Sequence, residues 1–359
     1  MDVDTPTLRR MRLAGQGLTR PLGGVADVVR GLFALQSQDL RQAEWAVGAR
    51  LAGGTVQDVW AAFAAGEVVR SWPMRGTLFT LAPADLRLLL WLTAHRQVAE
   101  STPRHRQLGL TDHDCARAAD AAQVALAGTS AAGGLGRADL VATFVDAGID
   151  TAGQRGVHLI GRLAHDGLLV LGPPLGELPG GPAQGFVLLD EWAPGEPPTD
   201  RSAAVAEVVR RHLAGHGPAT ERDLAWWTKL TLTEVRAGFA AVRDELTEVT
   251  CGGASYWTLG EPPDPVPDGV RALSGFDEWV LGYTDRSPVL APRFFERVVP
   301  GMNGVFFPTL VEDGEVVGTW KRVVTRGQAG VTVDPFPGVR ARVRHREAAA
   351  AVLPFRGEG

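Results

Sequence analysis

Apolar residues recur at helical spacing along most of the first 260 positions, and three times the helices give way to two short strands joined by a turn. In the first copy, residues 25–35 and 43–51 read as helices, and Thr55 is placed to cap a third over 56–65. Residues 67–72 and 77–81 read as strands around the turn Pro73-Met74-Arg75-Gly76. The second copy follows a Gly-rich break at 131–136, with helices at 137–147 and 151–166 and strands at 168–171 and 186–189 flanking a wing rich in Pro and Gly. A linker at 194–200 leads to the third, with helices at 203–214, 221–227 and 233–244, and strands at 246–250 and 255–259. Thr220 is positioned to cap the middle helix of that copy. Helices followed by a hairpin are the order of a winged helix-turn-helix.

The pattern therefore predicts an α+β protein with three tandem winged helix-turn-helix motifs. The first occupies 1–83, a helical spacer 84–130, the second 131–193, and the third 201–260. From 265 to 359 strands and turns dominate, including a hairpin over 304–320 that reverses at Asp313-Gly314, which predicts a β-rich C-terminal module.

Composition changes this picture in three respects. At 359 residues with 45% hydrophobic side chains, the chain buries a core of several modules. Residues 1–15 hold no signal-peptide apolar core and no later run is long enough to span a bilayer, so a cytoplasmic protein is expected. The two cysteines, Cys115 and Cys251, fit no zinc, iron–sulfur or disulfide pattern, and the eight histidines fit no metal-ligand spacing, so neither metal nor cofactor is expected.

The net charge of −5 argues against nucleic acid until its distribution is considered. Residues 1–110 carry a net +4, residues 111–270 a net −11 and residues 271–359 a net +2. Nearly every cation is Arg, which suits bidentate phosphate contacts, although GC-rich coding explains the bias equally well. Arg41, Arg70, Arg75, Arg286, Lys321 and Arg322 are the candidate DNA contacts. Surface Arg on a solvated face is nevertheless the ordinary case. Met74, Phe306 and Phe307 are candidates for an apolar wedge against a strained base pair. Trp226 and Trp227 read as core.

Taken alone, Gln36 and Gln38 read as polar residues finishing the first helix, and Asp39 as the cap of the next. Their surroundings alter that reading. Leu35-Gln36-Ser37-Gln38 with Trp45 and Leu51, the segment Ser71 to Leu78, His216 to Thr220 with Asp223, Trp226 and Trp227, the block 273–286 containing Phe276-Asp277, and 314–320 together resemble the winged-helix DNA glycosylases of the AlkZ and YcaQ type. Each motif is weak alone, but five in the family order are specific. Gln-x-Gln, rather than Gln-x-Asp, places the chain beside the AlkZ branch. Phe79 departs from the family, which commonly has His there, so any role of that His does not carry over.

The resemblance implies a C-shaped, monomeric scaffold holding duplex DNA, with Gln36 and Gln38 as catalytic residues. It also implies excision of cationic N7-alkylpurines, as in relatives that confer resistance to natural products such as azinomycin B, with crosslink unhooking within reach. A carboxamide has no proton to exchange near neutrality, but it orients water and donates to sugar or phosphate. A non-enzymatic winged-helix regulator is the main rival, because fold does not fix function. Such regulators usually dimerise on palindromes, unlike a single chain with three dissimilar copies. An interaction scaffold without DNA affinity is the third reading, for which the acidic middle section argues.

Overall fold

The computed structural model describes residues 1–176, 183–267 and 269–358. The chain divides into two compact units, Met1–Val59 with Val205–Gly359, and Trp60–Ala204. Both boundaries fall inside helices, Val56–Ala64 and Arg201–His216.

In the first unit, the hairpin of Leu246–Cys251 and Ala254–Leu259 is extended by Asp2–Val3, which runs parallel to its first strand. Leu8, Met11 and Val249 pack beneath it. The helices ahead of the hairpin, Glu221–Thr228 and Leu232–Ala241, are each fixed by a reciprocal capping box, Thr220 with Asp223 and Thr231 with Glu234. The cap expected at Thr220 is therefore present.

Farther on, an antiparallel sheet runs in the order Gln328–Pro335, Glu315–Thr325, Thr309–Glu312, Val270–Leu273. Its central hairpin turns at Asp313 and Gly314, with φ of 46° and 79°. Two positive values in a two-residue loop match the right-handed twist of the flanking strands. The hairpin begins only at Thr309, and 304–308 stays outside the strand. Leu273, Trp279, Val311, Val316 and Phe336 form the core behind this sheet.

One prediction in this unit needs correction. The helix expected over 25–35 stops at Leu32, and Ala34–Gln36 is a short strand. Phe33 adopts φ 68°, outside the helical region, while its ring lies 5.6 Å from that of Trp227 in a fully buried position. Aromatic packing holds the bulky residue in that conformation and ends the helix.

The second unit contains the helices Pro83–Gln107, Asp112–Leu126, Arg137–Asp146 and Arg155–His165. Its two hairpins, Val69–Met74 with Thr77–Leu81 and Leu169–Leu175 with Ala183–Leu188, join edge to edge through Arg70 and Leu171. The stretch expected as a spacer is part of this core, because Ala118, Ala122 and Leu126 are wholly buried with Leu140, Phe144 and Leu159. Residues 177–182 of the Pro- and Gly-rich wing lie outside the described residues.

Histidines in this unit give it an acid-sensitive stability. Burial, then Arg162 and His105, push His165 from 6.5 down to about 4. His105 and His158, edge to face at 5.3 Å, are also lowered, chiefly by burial. Between pH 6.5 and about 4 the unfolded chain binds a proton at position 165 that the folded chain refuses, so stability falls as pH drops through that window. His165→Phe should flatten the dependence of melting temperature on pH there, as read by scanning calorimetry. An unchanged slope would remove His165 as its source.

Candidate active site

Gln36 ends the strand Ala34–Gln36 and is 9% exposed, Ser37 is fully buried, and Gln38 is exposed. Next comes Asp39, whose carboxylate accepts from the main-chain N–H groups of Arg41 and Gln42 at 2.9 and 3.3 Å and caps the helix Leu40–Gly48. This use as a cap accounts for the carboxylate nearest the glutamines in sequence. The strand ends at Gln36, and the chain leaves the interior between Ser37 and the capping Asp39, which puts one carboxamide at the rim of the interior and the other in solvent.

Beneath the strand lies a buried polar layer. Glu278, at the start of the short helix Glu278–Leu281, accepts the Gln36 N–H on Oε1 at 3.2 Å and the Trp227 indole N–H on Oε2 at 2.9 Å. His216 Nε2 lies 3.3 Å from the same Oε2. Asp277 caps that helix and receives both terminal nitrogens of Arg50 at 2.9 Å, with both side chains 1% exposed. Arg50 also donates to the carbonyls of Gln16 and Ala46 and to Gln16 Oε1. Gln16 in turn donates to the Tyr283 hydroxyl at 3.2 Å, and that hydroxyl donates to the His216 carbonyl at 2.9 Å.

Burial dominates the electrostatics of this layer. It pushes the Tyr283 phenol up to about 12, against the opposing effect of Arg12, whose guanidinium lies 3.7 Å from the ring centroid. It also holds His212 well below its ordinary value, helped by His216 and Arg12. The two imidazoles stack at 4.5 Å, nearly parallel. The motif residues His216 and Asp277, far apart in sequence, thus belong to one buried layer, His216 against Glu278 and Asp277 beside it in the chain. Sequence reasoning missed Glu278, Arg50 and Gln16. The available signal was an acid, Glu278, set directly before the apolar Trp279-Val280-Leu281.

The other expected site residues are scattered. Arg41 is exposed on the first turn of the helix Leu40–Gly48. Lys321 is exposed on the strand Glu315–Thr325, whereas Arg322 is paired with Glu358 at 2.5 and 2.7 Å. Arg286, a candidate DNA contact, donates to the Val280 carbonyl and lies 5.3 to 5.8 Å from the ring centroids of Trp226, Phe306 and Phe295. Its pKa is lowered by burial.

In the second unit, Arg70 is buried and donates to Gln184 Oε1 at 3.2 Å, and Met74 is wholly buried. Neither side chain is presented at a surface in this structure, because the bulged hairpin turns both into the core. Arg75, half-buried, lies 5.0 Å from the centroid of Phe79, the residue at the family's His position. Among the apolar candidates only Phe307, 42% exposed, faces solvent freely, with Phe306 half-buried beside Phe276 at 6.2 Å. Among the described residues no helix is long and apolar enough to cross a membrane.

Residues 29–354 match the family described as DNA glycosylase AlkZ-like. An interstrand DNA cross-link repair glycosylase of Streptomyces sahachiroi is 30% identical over 331 residues, which cover 87% of this chain and 85% of that protein. The solved structure of the Streptomyces sahachiroi DNA glycosylase AlkZ superposes with a TM-score of 0.79 at 26% identity, covering 99% of this chain and 98% of that one.

Proposed function

Because the chain belongs to the AlkZ-like DNA glycosylase family, we propose that it excises cationic N7-alkylpurines from duplex DNA, bulky adducts and crosslinked guanines included, with Gln36 and Gln38 performing the chemistry. The carrying observation is a pair of carboxamides one residue apart, Gln36 at the end of a strand and at the rim, Gln38 just beyond it and exposed, while the neighbouring carboxylates Asp39 and Glu278 are taken up by capping and buried hydrogen bonds.

Alkylation at N7 makes the base cationic, so it departs neutral without a general acid. What remains is to hold water near C1′ and to meet the charge that develops on the sugar. A carboxamide oxygen orients the water, and its nitrogen donates to sugar or phosphate. That a relative is an interstrand DNA cross-link repair glycosylase supports extending the substrates to crosslinked guanines.

The same reading takes the three helix-and-hairpin segments as winged helices of a C-shaped monomer, testable by light scattering, and takes Arg41 and Lys321 as phosphate contacts. The decisive experiment incubates duplexes carrying N7-methylguanine, a bulkier N7-guanine adduct or uracil, then cleaves abasic sites with alkali. Release of both alkylated bases with uracil retained is the expected result. Robust uracil release would overturn the substrate argument.

Two smaller effects follow from this reading. Arg41→Glu should weaken duplex binding and flatten its salt dependence by about one unit of log–log slope, as loss of one phosphate contact predicts. An unchanged slope would remove Arg41 from the interface. Phe307→Ala should slow release of the bulky adduct more than of N7-methylguanine while leaving the melting temperature in place. A fall in melting temperature with no rate effect would make Phe307 a packing residue.

A further inference from the structure

We infer that Glu278 is a positioning residue for base excision, holding Gln36 through its main-chain N–H; the inference rests on the glutamine reading above. The carboxylate is wholly buried, and three segments converge on it. Gln36 N–H reaches Oε1 at 3.2 Å, and Trp227 Nε1 and His216 Nε2 reach Oε2 at 2.9 and 3.3 Å.

A buried charge costs more than an apolar side chain of the same size unless its acceptor sites are used. Here one of those sites is used by the backbone of the catalytic strand. Ionised, the group accepts at both oxygens at once. It therefore ties the strand to Trp227, itself packed on Phe33 at the bend where the strand begins.

The platform is itself immobilised. The preceding Asp277 caps the helix and is clamped by Arg50, and the Glu278 carbonyl accepts from Gly282 N–H at 2.8 Å. Shifting the acceptor moves the Gln36 backbone, and with it the carboxamide that orients water. Misplacement on the ångström scale costs on the order of 100-fold in rate when positioning is the main contribution.

Glu278→Gln separates this role from plain core packing. The carboxamide keeps the shape but has one oxygen, so it accepts from Gln36 or from Trp227 and turns an NH2 group toward the other donor. The experiment is a double-mutant cycle with Gln36→Ala, reading the single-turnover release of N7-methylguanine, the Kd for the same duplex and the melting temperature. Glu278→Gln should slow release about 10- to 100-fold with Kd unchanged, and should add no further loss in the Gln36→Ala background.

Independent multiplication of the two losses, or a wild-type rate in folded Glu278→Gln protein, overturns the inference. A full rate in Gln36→Ala alone overturns the glutamine reading and this inference with it. If Glu278→Gln does not fold, Trp227→Phe removes the indole donor to Oε2, together with part of the buried ring, and reads the same coupling. It should give a several-fold loss that disappears in the Gln36→Ala background, and a persistent loss there counts against the inference.

Discussion

In single-turnover assays, Gln36→Ala and Gln38→Ala should each lower release of N7-alkylguanine by about 10- to 1,000-fold, the scale of one preorganised polar group, with DNA affinity nearly unchanged. The expectation follows from the division of labour at the site. Asp39 is occupied as a helix cap and Glu278 is buried, and on the proposed mechanism the two carboxamides address water and sugar. Neither titrates near neutrality, so the rate should lack a carboxylic-acid limb attributable to them. Gln38→Asp, which imitates the sibling branch, tests whether a carboxylate at the exposed position is tolerated, and it should preserve or broaden activity. Full activity in the double Gln36→Ala, Gln38→Ala protein would end this mechanism.

A comparably large effect, on stability, is expected at the buried ion pair. Asp277→Ala strands the Arg50 guanidinium in the interior, where both partners are 1% exposed. Removing one member of such a pair costs about 3–5 kcal/mol, because the remaining charge has lost its compensation. For a unit of this size that is a fall in melting temperature on the order of 10 °C. The loss includes the cap of the helix that begins at Glu278. Adding Arg50→Met to Asp277→Ala should restore part of the stability, since an apolar side chain of similar length needs no counter-ion. Calorimetry of the three variants checks both statements. A melting temperature unchanged in Asp277→Ala would mean that the pair contributes nothing, and no recovery in the double variant would point to the cap and not the charge.

Features set by local chemistry were legible in the sequence. The capping box of Thr220 with Asp223, the Asp39 cap and the Asp313-Gly314 reversal each depend on residues within a few positions of one another. The Gln-Ser-Gln stretch was legible as well, through the order of motifs around it. The end of the first helix was not. Apart from Arg30 and Gly31 the run Val28 to Leu35 is apolar, so its spacing could not reveal that Phe33 would adopt a positive φ to reach Trp227.

The surroundings of the glutamines were also out of reach, because their bonds span the chain. Arg50 and Asp277 are 227 positions apart, and Gln36 and Glu278 are 242 apart. Hydropathy marks Asp277 and Glu278 only as two acids at the start of an apolar segment. Whether such an acid is solvated, capped or buried against a distant arginine depends on which surfaces the fold closes over it. The same holds for Arg70 and Met74, which the sequence offered as a DNA contact and an apolar wedge and the bulged hairpin turned inward. The sequence alone determined the local elements and the carboxamides available for chemistry. Tertiary packing decided which charges lost their water, and with that, which residues hold the glutamines in place.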